Sequence, residues 1–305
     1  MIAVIAEHQL RMLRRERLFL AILAALLLMT ALAGFIGWSS HNTIIKVYDE
    51  SSAMLASEGK PAPPDPFALK PQLSLLANMT IYIMLIGALL AIIVGHLAIV
   101  SDRAAGSTRL IFARPVRRSI YLLGKLAGIG AALGLILAVS YVLSVVSLVI
   151  VNDSLPTAAE FGRLALFYLV SLAYMLLFAL VGVTAGLVVH GRSLALLVAL
   201  GVWMVITFMI PQFTSGLRPT ASLSPVVNSA ATSQRFFEIT SHFRSVSLSE
   251  RYRDLSVAIL QTDPSRPRTI GSDEIVPISL VLIVLALLTA ALVNRLDLSE
   301  QASHD

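Results

Sequence analysis

Any chemistry in this 305-residue chain must come from 18 acidic residues, 23 basic residues, six histidines and no cysteine. Without cysteine there is no thiol nucleophile, no thiolate metal site and no disulfide framework. The six histidines do not cluster as a metal site requires, and neither His-Glu-x-x-His nor Gly-x-Ser-x-Gly occurs. The nearest approach to a phosphate loop is Gly124-Lys125. Ser119 stands where the first glycine belongs, however, and Leu126 where the magnesium-binding hydroxyl belongs. Nucleotide hydrolysis by that route is not expected of this chain. His96 lies inside an apolar run, where an ionisable group is by default a functional candidate. A neutral, hydrogen-bonded packing role is the competing reading. His190, beside Gly191 and Arg192, reads as a turn residue. The densest charge falls at residues 101–118, Ser-Asp-Arg-Ala-Ala-Gly-Ser-Thr-Arg-Leu-Ile-Phe-Ala-Arg-Pro-Val-Arg-Arg, followed by Lys125. There Leu110-Ile111-Phe112 sits among five arginines, which is unusual for a loop needed only for topology.

The elements that carry these residues are apolar. Hydrophobic residues make up 57% of the chain and charged residues 13%, about half the charged share of a soluble domain. Long uncharged runs predict an all-α, polytopic membrane protein with six spans at about 18–38, 81–100, 126–151, 164–189, 194–210 and 276–293, each long enough for a hydrocarbon core of about 30 Å. None contains Asp, Glu, Lys or Arg. Pro211 and Pro277 fall at span ends, where a missing backbone donor does least harm. Arg11, Arg14, Arg15 and Arg17 precede the first span, and Arg103 to Lys125 separate the second from the third. These basic sides are expected in the cytoplasm. Both termini then face the cytoplasm, and residues 39–80, 152–163 and 211–275 lie outside. The last segment carries seven arginines, which opposes that orientation. Long loops, however, cross largely regardless of charge. Ala31-Leu32-Ala33 imitates a signal-peptidase site, but the apolar run continues to Trp38, an interfacial residue type, so cleavage is not expected.

The order of residues in the loop after the second span resembles that of ABC-2-type transporter permeases. In that family an acid, a Gly-Thr-like pair, a leucine, a proline, one or two arginines and a lysine recur in that order. The matching positions are Asp102, Gly106, Ser107 and Thr108, Leu110, Pro115, Arg117 and Arg118, and Lys125. The family more often has Glu where this chain has Asp102. The resemblance extends to the whole plan, residues 1–305 as one transmembrane domain with a basic interfacial helix at 1–17 and a large loop at 211–275. It implies that residues 102–113 form a coupling helix seated on a separate cytoplasmic ATPase. In that role Leu110, Ile111 and Phe112 would be the buried tip, and Asp102, Arg103 and Arg109 would pair at the rim. Pro115 disfavours helix at Arg114 and so would separate the coupling helix from the third span. A generic positive-inside loop is the plainer reading of the same residues.

The resemblance further implies two copies of the ATPase, which bind ATP and magnesium, a second permease subunit that makes a homodimer, membrane lipids around the dimer, and residence in a bacterial inner membrane. Export of a substrate and transmission of motion to an extracytoplasmic partner are both compatible with it. Nucleic acid is not an expected partner. The competing class is a membrane scaffold or sensor subunit without ATPase coupling.

Residues 2–16 are amphipathic, with Ile2, Ile5, Ala6, Leu10, Met12 and Leu13 on one side and Glu7, His8, Arg11, Arg14 and Arg15 on the other. A helix in the cytoplasmic interface is expected, either a topology anchor or a mechanical element touching a partner. Glycine pairs at 124 and 128, 130 and 134, and 182 and 186 have the spacing of close helix contacts. Five prolines between 61 and 71 make residues 39–80 read as an extended linker. Residues 233–260, where aromatics alternate with arginines, are expected to form one or two helices on the outer leaflet or over the translocation path.

Overall fold

A computed structural model describes residues 2–61, 72–104, 118–152, 155–211, 247–261 and 272–295. Among these residues the chain is helical and contains no strand. We label the helices α1 (Ile2–Leu13), α2 (Arg17–Ser57), α3 (Ala77–Tyr82), α4 (Ala88–Ala104), α5 (Arg118–Asn152), α6 (Ala158–Val188), α7 (Arg192–Met204), α8 (Leu248–Leu260) and α9 (Ser272–Arg295). Six helical stretches are long and apolar enough to cross a membrane: Arg17–Ser57, Leu73–Asp102, Arg118–Val151, Ala158–Val188, Arg192–Met209 and Ile275–Val293. The six predicted spans are therefore all present, each matched by a helical stretch that extends beyond its predicted bounds at one or both ends.

The second stretch is the centre of the bundle. It is buried over 78% of its most apolar window, against 11% for the last stretch, whose exposed Leu280, Ile283, Val284 and Leu287 form a face suited to hydrocarbon. Close approach of α4 and α6 explains the difference. A Cβ on Gly95 would lie 2.0 Å from the Ala179 carbonyl oxygen, and one on Gly182 would lie 2.3 Å from that of Ile92. Only glycine permits this spacing, the small-residue contact that lipid-embedded helices exploit. The other pairs differ in use. Gly124 and Gly128 receive α1, whose Ile5 and Gln9 side chains occupy the space of their missing Cβ atoms, whereas Gly130 and Gly134 have nothing within 4 Å.

Two helical stretches depart from the sequence expectation, the first in its secondary structure and the second in its packing. α2 continues through Ser57 for 41 residues, about 61 Å at 1.5 Å per residue, so residues 39–57 are helix and not the expected linker. The reason is composition: residues 42–57 contain no Gly or Pro, and the five prolines that suggested a linker all lie beyond Lys60. α8 is the other. Its Leu248, Tyr252, Leu255 and Ile259 are buried, because it inserts against α6, α9 and the end of the fifth stretch rather than lying on a leaflet surface. Pro277 is also inside α9 rather than at its edge. A capping box starts α6: Thr157 N–H donates to Glu160 Oε2 at 2.8 Å, and Glu160 N–H donates to Thr157 Oγ1 at 3.3 Å.

Candidate functional site

The ends of the segment 105–117 are held by α4 and α5, and between them lies a buried polar cluster. Lys125, on the second turn of α5, approaches Asp102 Oδ2 at 2.7 Å. Its Nζ also donates to Gln9 Oε1 of α1 at 3.0 Å. Tyr121, one helical turn before Lys125, donates its hydroxyl to Asp102 Oδ2 at 2.8 Å. None of the four residues is more than 3% exposed. Asp102 sits in the last turn of α4, where the helix dipole opposes its charge, and Lys125 is buried in α5 away from solvent. Burial disfavours either charge alone, so the pair is stabilised across the contact. Breaking it leaves a desolvated ion.

The cluster changes the reading of this region. Asp102 was expected on the rim of a coupling helix and is instead within the last turn of α4, facing inward. Arg103 shares that helix. Gly106, Ser107, Thr108, Arg109, Leu110, Ile111, Phe112, Pro115 and Arg117 lie outside the described residues. Arg118 is the first residue of α5 and half-buried. Arg11, Arg14 and Arg15 are exposed around the C-terminal end of α1. Gln9 and Leu13 of that helix are buried. Lys125 and Asp102 were legible as two positions of one motif, but their contact was not. Gln9 and Tyr121 went unread because an uncharged polar residue in an apolar stretch gives no periodic signal.

A second polar constellation lies halfway along the bundle. Tyr252 of α8 stacks on Tyr174, at the midpoint of α6, with ring centroids 4.3 Å apart and planes at 18°. Its hydroxyl is 2.8 Å from Ser171 Oγ. Ser249 Oγ donates to the Ile206 carbonyl at 3.0 Å. That bond has a local cause. Residues Val205–Met209 are in a π-helical register, in which the Ile206 carbonyl would accept from residue 211. That residue is Pro211, which has no N–H. A hydroxyl from α8 supplies the missing donor. Glu250, beside Ser249, is 5% exposed, so a helix outside the six spans brings a carboxylate into the bundle. At the far end of α8 the chain turns at Gln261, in the left-handed conformation with φ 51°, and Arg163 of α6 donates to its side chain.

His96 is buried, its Nδ1 has no hydrogen-bond partner, and its backbone nitrogen lies at the Gly182 contact. His190 is exposed in the bend between α6 and α7, as a turn residue should be. Among the described residues no group of His, Asp and Glu is arranged to hold a metal.

Six apolar helices, a buried ion pair joined to the N-terminal helix, and a polar helix inserted from the opposite end define a multi-pass membrane protein. No curated protein matches the chain. The sequence profile of the ABC-2 family transporter proteins matches it over residues 3–297, nearly its whole length, and the chain belongs to that family. It is thus a permease subunit of an ABC transporter, a membrane component that generally performs no catalysis and works with an ABC ATPase.

Proposed function

We propose that this permease converts nucleotide-driven motion of two separately encoded ATPase subunits into movement of a permease dimer, with residues 102–118 and α1 as the receiving surface. ATP and magnesium belong to the ATPase. Leu110, Ile111 and Phe112 form the seated tip, and Arg103, Arg109, Arg117 and Arg118 meet its rim. Asp102 has a different part: with Lys125, Tyr121 and Gln9 it ties the loop's two ends to α1. That buried cluster is the observation that carries the reading. A push on the loop would reach α4, α5 and α1 together, because separating them exposes an ion pair in a medium of low dielectric. The subunits form a homodimer in a bacterial cell membrane, with both termini in the cytoplasm, consistent with the basic residues beside α1 and α5.

The test uses Leu110→Asp in the full-length chain, co-expressed with its cognate ABC ATPase. The expected result is loss of co-purified ATPase at unchanged thermal stability. Undiminished co-purification with normal transport would favour the scaffold or sensor reading. Between export and transmission of motion to an extracytoplasmic partner, the length of α2 favours transmission. About 61 Å of helix exceeds the 40–45 Å of a whole bilayer and leaves a rigid arm beyond it.

A further inference from the structure

The chain turns from α1 into α2 within three residues. Arg14 N–H donates to the Leu10 carbonyl at 3.2 Å, Arg15 N–H to that of Met12 at 3.0 Å and Glu16 N–H to that of Leu13 at 3.2 Å. This tight elbow gathers Arg11, Arg14 and Arg15 around one open cavity of ≈ 350 Å³, a volume within the range of small-molecule sites. Their direction is set by packing. Gln9 and Leu13 are buried and Gly124 and Gly128 fix α1 against α5, so the face bearing the arginines is turned out of the bundle.

Two acids lie nearby. Glu7 pairs with Arg11 at 2.5 Å, and Glu16 follows Arg15. Arg14 and Arg15 make no ion pair among the described residues, and with Arg17 the elbow keeps a net positive charge. The flank is apolar. Leu18 and Leu20 on the first turn of α2 are 48% and 44% exposed. Leu18 begins a helix face that continues outward through Leu28, Leu32 and Phe35, and Leu20 adds apolar surface on the other side of the helix. A guanidinium cavity at the mouth of a lipid-facing helix combines two chemistries: donors that match phosphate in a bidentate manner and hydrocarbon contact immediately below.

We propose that this elbow is a binding site for the phosphate of an anionic phospholipid, with Arg14 and Arg15 as the principal donors, Arg11 at the rim, and the acyl chains along α2. Free phosphate shares the headgroup chemistry but makes no use of the apolar flank. The inference depends on the chain spanning a membrane and not on the proposed ATPase coupling. Through Gln9 and Leu13, occupancy would hold α1 in place against α5.

Full-length protein in mild detergent is titrated with short-chain phosphatidylglycerol, and bound lipid is counted by native mass spectrometry. Arg14→Gln/Arg15→Gln is expected to weaken binding about tenfold or more, at roughly the surface electrostatic contribution of two arginines. Lys46→Gln/Lys60→Gln, which removes equal charge elsewhere, should leave it unchanged. Arg14→Lys/Arg15→Lys should retain part of it. Equal binding by wild type and the Arg14/Arg15 glutamine variant overturns the site, as does equal loss in the Lys46/Lys60 control. Displacement of the lipid by an equimolar amount of inorganic phosphate reassigns the cavity to free phosphate. Unchanged lipid binding with loss of co-purified ATPase reassigns the arginines to a protein surface.

Discussion

Lys125 and Asp102 show how much a single contact can add to a motif. In sequence they are an acid after one apolar run and a base before another. In space they are one neutral, buried unit with two further hydrogen bonds. Lys125→Met should destabilise the protein by about 3–5 kcal/mol, because Asp102 is left desolvated without its partner. The double variant Asp102→Leu/Lys125→Met should recover at least about half of that loss, since removing both charges removes the penalty. Thermal unfolding in detergent of the two single variants and the double variant measures the coupling. Additive losses would mean that the pair does not interact as its 2.7 Å separation requires.

Helix contacts depend on which glycines face a neighbour. The pairs at 124 and 128, 130 and 134, and 182 and 186 are indistinguishable by spacing. Gly182→Ala drives a methyl group to 2.3 Å from the Ile92 carbonyl, and backbone cannot give way as a side-chain tip would. We expect loss of folded protein on size exclusion. Gly130→Ala meets open space and replaces a weak helix former, so stability should be unchanged or higher by up to about 1 kcal/mol. If the two substitutions behave alike, the α4–α6 contact is not as close as described. α8 teaches a related lesson. Its sequence is too polar and too short for a span, so hydropathy excluded it from the bundle. Its burial rests on pairings that composition does not encode: Tyr252 with Tyr174, and Ser249 with the carbonyl that Pro211 leaves without a donor.

At the scale of the molecule, α2 sets the reach of the protein. A Gly-Pro break within its projecting part, Ser51→Gly/Ser52→Pro, should leave ATPase stimulation intact and abolish cellular function if α2 transmits motion. Retained cellular function would make residues 42–57 a passive spacer. The six spans, the all-helical class and the family were legible before any coordinate, because lipid demands long uncharged runs whose backbone bonds are satisfied internally, and hydropathy records that demand residue by residue. The helix at Ile2–Leu13 was legible for a different reason, the 3.6-residue periodicity of its apolar residues. The partners were not. The apolar pattern is one-dimensional, whereas Lys125 finds its ion-pair partner 23 positions away and its hydrogen-bond acceptor 116 positions away. The use of a glycine pair depends on which helix faces it. Hydropathy alone supported spans free of fixed charge. Tertiary packing placed Asp102 with Lys125 at the end of the bundle and brought Glu250 inside it on a helix that hydropathy had left out.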